Sequence, residues 1–196
     1  MEADRLSSCE KNAARLAAHL VFLDESGFLL IPSVHKTWSP VGQTPIVPHR
    51  YRHDRLSAIS GIAVSPRRFH CMLYCHLYED NIQGEEVAVF LRHLLQQIRG
   101  QVIALLDNGR IHRGDPVTEL LAQTRRLHLV AFPAYAPELN PDEGVWHQLK
   151  SRLANGRPDT KAELMDVLSE EIFRLANSQQ LLRGCIQQSE LSSFWP

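Results

Sequence analysis

No apolar run in the sequence approaches the ~18–20 residues that a membrane-spanning helix needs, which excludes a helical membrane protein. Nor is there an excess of charge of one sign. The 21 Lys and Arg stand against 22 Asp and Glu, a formal −1, and the isoelectric point is about 6.8. A domain that binds nucleic acid through its bulk charge has a pI above about 9, so any contact with DNA must come from a local patch. The opening, Met1-Glu2-Ala3-Asp4-Arg5, lacks the basic patch and apolar stretch of a secretory signal. Cysteine is scarce, and Cys9, Cys71, Cys75 and Cys185 form no CxxC pair, as expected of a chain from a reducing compartment. A zinc site can be drawn from Cys71 and Cys75 with the flanking His70 and His76. Their spacing is looser than structural zinc sites usually show. There is no internal repeat and no biased tract.

What is present is a chain of 196 residues, 44% apolar, enough for one domain with a real core. Residues 20–23 read as a buried strand that ends at Asp24, with 27–31 as its continuation or as a partner after a bulge or turn. Residues 32–54 carry Pro32, Pro40, Pro45 and Pro48 and read as loop. Residues 56–64 and 68–78 read as a hairpin around Ser65-Pro66-Arg67. The spacing of Val87, Phe90, Leu91, Leu94, Leu95 and Ile98 predicts a helix over 84–99, stopped by Gly100. The continuous apolar run 102–106 ends at Asp107, as a central parallel strand should. A helix over 115–124, a strand over 127–132 and a helix opening at Asn140-Pro141-Asp142-Glu143 follow, and Thr160 caps a last helix bearing Leu164, Leu168 and Leu175. This order predicts an α/β fold: a mixed sheet, an antiparallel meander followed by parallel strands, flanked by helices.

Two predicted strands end in aspartate, Asp24 and Asp107. The carboxyl ends of strands in an open α/β sheet line its functional crevice. Two carboxylates meeting there repel unless a cation lies between them, and hard oxygen donors suit Mg²⁺ or Mn²⁺. A third carboxylate would complete a site for two metals, the arrangement used in attack on phosphodiesters. Glu143 is the best third candidate, 35 residues beyond Asp107 (143 − 107 − 1) and at a helix start that favours negative charge. Each has a purely structural alternative. Asp24 can end a strand, Asp107-Asn108-Gly109 can form a turn, and Glu143 can reach back to the N–H of an Asn140 N-cap. Glu138 and Asp142 are the fallback third ligands, and Trp38 and Trp146 are assigned to packing.

Four stretches carry a resemblance. They are Phe22-Leu23-Asp24-Glu25-Ser26-Gly27, Thr37-Trp38-Ser39-Pro40-Val41-Gly42-Gln43-Thr44-Pro45, Leu106-Asp107-Asn108-Gly109-Arg110-Ile111-His112, and the run from Pro133-Ala134-Tyr135 through Asn140-Pro141-Asp142-Glu143-Gly144-Val145-Trp146. In this order and spacing the sequence resembles the catalytic domain of DDE transposases of the mariner-like superfamily and their bacterial insertion-sequence relatives. The resemblance implies a ribonuclease-H-like fold and a metal-binding catalytic triad of Asp24, Asp107 and Glu143. It implies Mg²⁺ or Mn²⁺, two ions, for hydrolysis and strand transfer at transposon ends, with Asn108 and His112 as auxiliary residues. Asp142 departs from the resemblance, since an apolar residue is usual there.

The implied organisation is a polar segment over 1–18, a catalytic domain over 19–157 and a helical extension over 158–196. The usual helix-turn-helix module finds no room in this chain, which implies one half of a split gene or a remnant. The expected partners are DNA and either a second copy, giving a homodimer, or a partner chain that carries the module. The expected place is the bacterial cytosol, at the nucleoid when DNA is bound. The alternative reading is an idle remnant that only binds DNA or subunits. Local charge supports DNA contact: Arg50, Arg52, Arg55, Arg67 and Arg68 against Asp54 give residues 41–78 a net 5 − 1 = +4. Residues 159–196 carry 3 − 6 = −3. Arg50, Arg52, Arg55, Arg110, Arg113, Lys150 and Arg152 are the candidate DNA contacts.

Overall fold

A continuous apolar run near the start of the chain, Leu20-Val21-Phe22-Leu23, builds the middle of a sheet. A computed structural model describes residues 9, 11–30, 38–43, 54–133, 136–153, 158 and 160–191. Residues 11–16 are helical and lead into β1 (His19–Leu29). Then follow β2 (Arg55–Val64), β3 (Cys71–Tyr78), α1 (Gly84–Gln97), β4 (Val102–Leu106), a 3₁₀ turn (Arg110–Arg113), α2 (Asp115–Gln123) and β5 (Leu127–Ala131). A short 3₁₀ turn (Pro137–Leu139) precedes α3 (Asp142–Leu153), α4 (Lys161–Ala176) and α5 (Gln179–Gln188). The five strands lie in the order β3-β2-β1-β4-β5. The β1–β2 and β2–β3 pairs are antiparallel, and the β1–β4 and β4–β5 pairs are parallel. This is the expected meander followed by parallel strands.

Residues 27–29 continue β1 in unbroken register with β2, from Leu20↔Val64 to Leu29↔Arg55, without a bulge. The hairpin connection is longer than the sequence suggests. Ser65 to Arg68 close as a turn, with the Arg68 N–H donating to Ser65 O at 2.7 Å and Arg68 at φ +59°, so β3 begins only at Cys71. Helix α1 stops at Gln97 because Ile98 leaves helical geometry (φ −97°, ψ 119°), and Gly100 takes the left-handed φ of +92° that turns the chain into β4.

The pleat divides the apolar residues between two cores. Leu20, Phe22 and Phe28 of β1 face α3, α4 and α5, where Trp146, Leu149, Leu164 and Leu182 close over them. Val21 and Leu23 face α1 and α2, against Phe90, Leu94 and Val117. Strand β4 is buried along its whole length and supplies both cores. That is why its sequence is continuously apolar.

The pleat also disposes of the zinc reading. Cys71 and Cys75 face the α4–α5 side, while His76 turns to the α1 side and meets His93, its Nε2 2.8 Å from His93 Nδ1. Burial, the larger effect, pushes the Cys71 thiol up to about 11, and His70 is exposed. Trp38 is likewise not a packing residue: residues 38–43 are all exposed, held by their own turn bond from Gln43 N–H to Pro40 O at 3.0 Å.

Helices α4 and α5 form part of the layer over the first core. Thr160 caps α4 as expected, accepting from the Glu163 N–H at 3.2 Å. Gly144 lets α3 and α5 approach closely, since a Cβ there would stand 2.9 Å from Cys185 Cβ. The Gln179 amide clasps the edge strand like a piece of backbone, accepting from the Cys71 N–H at 3.0 Å and donating to the Cys71 carbonyl at 2.6 Å. Two neutral hydrogen bonds of this kind contribute about 1–3 kcal/mol. Gln179→Ala is expected to lower the unfolding free energy by that amount in urea titration; an unchanged midpoint and slope would show that the clasp carries no stability.

Candidate active site

The site begins with the β1–β4 pairing. The last parallel pair is Phe22↔Leu105, and two residues further along each strand come Asp24 and Asp107 (22 + 2 and 105 + 2). Asp107 follows the end of β4, whereas Asp24 does not end its strand as expected, because β1 runs on to Leu29 against β2. Asp24 lies beside the point where β4 stops, so both carboxylates reach one cleft. Helix α3 supplies the third group. Its start is fixed by Asn140, whose Oδ1 accepts the Asp142 N–H at 3.2 Å and whose carbonyl accepts the Glu143 N–H at 3.1 Å. The Asn140 N–H is already given to Pro137 O at 2.9 Å, so the reach-back role considered for Glu143 is taken by backbone. Glu143 is exposed, and together Asp24, Asp107, Glu143, Asn140, Phe132 and Pro133 line one cleft of about 210 Å³.

Each carboxylate is held differently. Asp24 is half-buried, and its Oδ2 accepts the Trp146 indole N–H at 2.9 Å. Burial raises its pKa from the ordinary 3.8 to about 7; the indole bond opposes the rise, and the charges of Glu143 and Glu25 add to it. Trp146 is thus more than packing: it stands edge-on to Phe28 at 6.0 Å between ring centres and ties α3 to the first aspartate. Asp107 is exposed, but its Oδ1 accepts the Gly109 N–H at 2.7 Å and faces His112 Nδ1 at 2.8 Å. The other nitrogen of His112, Nε2, lies 3.0 Å from Glu25 Oε1. Burial alone would lower the His112 pKa, but Glu25 and Asp107 outweigh it and the net shift is upward. Asn108, exposed, accepts from the Arg113 guanidinium instead of facing the cleft.

The fallback ligands fall away. Asp142 is wholly buried on the core side of α3, where Ser60 Oγ donates to its Oδ2 at 2.9 Å. Its Oδ1 has no partner among the described residues, and burial first, then Asp24, raises its pKa well above the usual carboxylate value. Burial thus disfavours its charged form, at a position where the resemblance leads one to expect an apolar side chain. Glu138 is exposed on the preceding turn and does not line the cleft. Of the candidate DNA contacts, Arg55, Arg110, Arg113, Lys150 and Arg152 are exposed, and Arg50 and Arg52 lie outside the described residues.

The profile of the DDE superfamily endonucleases matches residues 19–165. The chain belongs to that family. No curated protein matches the sequence of this DDE endonuclease. Among solved structures it is similar to the Mos1 strand transfer complex, at 20% identity and a TM-score of 0.68 over 98% of this chain and 57% of that one. It is similar to the catalytic domain of Mos1 mariner transposase, at 16% identity and 0.62, over 96% of this chain and 87% of that one. A simian T-cell lymphotropic virus intasome matches 83% of this chain and 49% of its own, at 13% identity and 0.56. These likenesses are of fold, and the fold is ribonuclease-H-like. The chain spans 57% of the length of the Mos1 chains in the strand transfer and left-end paired complexes.

The donor set of this DDE endonuclease fits hard divalent ions. Three carboxylates line one cleft, and the repulsion felt by Asp24 is what a bound cation would relieve. Among the described residues no three His, Cys, Asp or Glu side chains converge tightly enough to cage an ion by themselves. Also among the described residues, no helix is long and apolar enough to cross a membrane.

The raised pKa of Asp24 has a sign that can be tested. The folded chain keeps a proton that the unfolded chain releases above about pH 4, so this contribution to stability is full below pH 4 and is lost as pH rises through about 7. Metal-free wild-type protein is expected to lose more stability between pH 4 and 7 than Asp24→Asn, which has no proton to release. Equal pH slopes in urea titrations of the two proteins would contradict the placement of Asp24.

Proposed function

We propose that this chain is the catalytic domain of a DNA transposase, carrying out metal-dependent phosphodiester hydrolysis and strand transfer at transposon ends. The observation that carries the reading is the cleft itself: Asp24, Asp107 and Glu143, far apart in sequence, line one hollow in a chain of the DDE endonuclease family. In support, the similar folds include Mos1 structures with transposon DNA and Mos1 structures with Mn or Mg.

Asp24, Asp107 and Glu143 would hold Mg²⁺ or Mn²⁺, two ions. When bound, the ions supply Lewis-acid activation of the attacking water or 3′-hydroxyl and charge stabilisation at phosphorus. The remaining work falls to the chain. Trp146 fixes one Asp24 oxygen and leaves the other for the cleft. Phe132 and Pro133 wall the cleft on the β5 side. Asn108 holds Arg113 beside the second aspartate, where the guanidinium can meet a phosphate. Exposed Arg55, Arg110, Lys150 and Arg152 extend the phosphate-contacting surface, with Arg50 and Arg52 assigned to it from sequence.

Catalysis resides in residues 19–157, preceded by the 1–18 segment and followed by the helical 158–196 portion. The chain acts as a homodimer or with a partner that carries a helix-turn-helix, in the bacterial cytosol and on the nucleoid when bound to DNA. Because its contacts are to phosphate, DNA binding by this chain alone is unspecific and weakens steeply with salt. Asp107→Asn is expected to reduce Mn²⁺-dependent nicking of supercoiled DNA by more than about a hundredfold, above the loss typical of outer-shell partners, with the thermal unfolding midpoint kept. Nicking at the wild-type rate by Asp107→Asn would overturn the assignment.

A further inference from the structure

Asp107 stands on the loop after β4 with its side chain 66% exposed, so burial does not fix its carboxylate. A ligand in that setting needs another restraint, because a loosely held carboxylate loses geometry that metal binding has to restore. The restraint is visible one layer out. Asp24 and Glu25 are neighbours on β1, and the pleat sends them to opposite faces. Asp24 goes to the Trp146 side; Glu25 goes to the α1 side, where it meets the 3₁₀ turn Arg110–Arg113. Between Glu25 and Asp107 lies His112, with its side chain only 2% exposed. Its Nε2 is 3.0 Å from Glu25 Oε1 and its Nδ1 2.8 Å from Asp107 Oδ1, with the Asp107 carbonyl oxygen at 3.2 Å. Oδ1 also takes the Gly109 N–H, which leaves Oδ2 with no internal partner among the described residues.

We propose that Glu25 and His112 are positioning residues for Asp107: the buried imidazole couples β1 to the loop after β4 and holds the second carboxylate with one oxygen bound internally and the other free for an ion. The inference rests on Asp107 being a metal ligand, and it assigns Glu25 a role distinct from that of ligand. The side chain of Glu25 lines a separate hollow with Arg55, Asn81 and Ile111, on the other side of β1 from the cleft. Outer-shell carboxylates that orient a ligand through an imidazole typically carry ten- to a hundredfold of metal affinity or activity.

The test uses Mn²⁺ affinity by calorimetry, DNA nicking and, on the metal-free protein, NMR of the His112 imidazole N–H and the Asp107 carboxyl carbon. Glu25→Ala and His112→Ala are each expected to weaken Mn²⁺ binding about tenfold or more, to lose the slowly exchanging His112 N–H signal (or the ring itself) and to shift the Asp107 carboxyl resonance. Glu25→Gln keeps an oxygen acceptor for the ring and should restore most of the affinity. In a His112→Ala background, Glu25→Ala should cost little more. Three results would overturn the proposal: an Asp107 resonance indifferent to Glu25→Ala, a Glu25→Gln variant as weak as Glu25→Ala, or an undiminished Glu25 effect without His112. Failure of the underlying reading looks different: wild-type protein would bind no Mn²⁺, while the metal-free NMR changes would still show whether the Glu25–His112 link orients Asp107.

Discussion

The parallel pairing of β1 with β4 is the constraint on which the site depends. It sets two strands side by side, running the same way, so that the residues two beyond the last pair are Asp24, still within β1, and Asp107, just past the end of β4. Nothing in either local sequence brings the two carboxylates together; sheet register does. The pairing in turn requires a strand buried on both faces, which β4 provides with five consecutive apolar residues and a helical layer over each side. Helix α3 is then docked by Trp146, which packs against Phe28 and bonds Asp24, and Glu143 comes to the cleft as a consequence of that docking.

Electrostatics sets the second condition. The cleft gathers negative charge with no compensating cation among the described residues that line it, and the protein answers in different ways at each acid. Asp24 is raised to about 7, Asp107 is steadied by the Gly109 N–H and His112, and Asp142, behind the cleft, is buried so that its charged form is disfavoured. A fold optimised for stability alone would not hold a half-buried Asp24 within reach of the charges of Glu143 and Glu25. Strain of this kind is characteristic of a site waiting for a charge of opposite sign.

Much of this was legible in the sequence because it follows from local pattern. The apolar run that stops at Asp107 marks a strand end, and Asn140-Pro141 marks the helix start that presents Glu143. The run that stops at Asp24 marks only the end of continuous burial in a strand that runs on to Leu29. The five strands and the order of helices follow from periodicity and punctuation, with errors of two or three residues where a turn closed early, as at Ser65–Arg68. What was not legible depends on which face a side chain takes and what lies opposite it. The Glu25–His112–Asp107 link joins residues 87 and 5 apart in sequence, and no spacing announces it. The pleat turns Glu25 away from the face that Asp24 takes, and that same turn gives it a partner in His112. Trp38 reads as core by composition but stands in an exposed segment, whereas Asp142, acidic and at a helix start, is buried through its bond to Ser60. One signal was available for His112: it falls five residues after Asp107, close enough for a single tight turn to fold it back.

The central claim is that Asp24, Asp107 and Glu143 bind divalent metal in one cleft. Anomalous diffraction at the manganese edge, from crystals equilibrated with Mn²⁺, tests it most directly. The account predicts anomalous peaks within bonding distance of carboxylate oxygens of these three residues, with none at Asp142 or Glu138. Peaks confined to other surface carboxylates, or an empty cleft at millimolar Mn²⁺ and neutral pH, would contradict it.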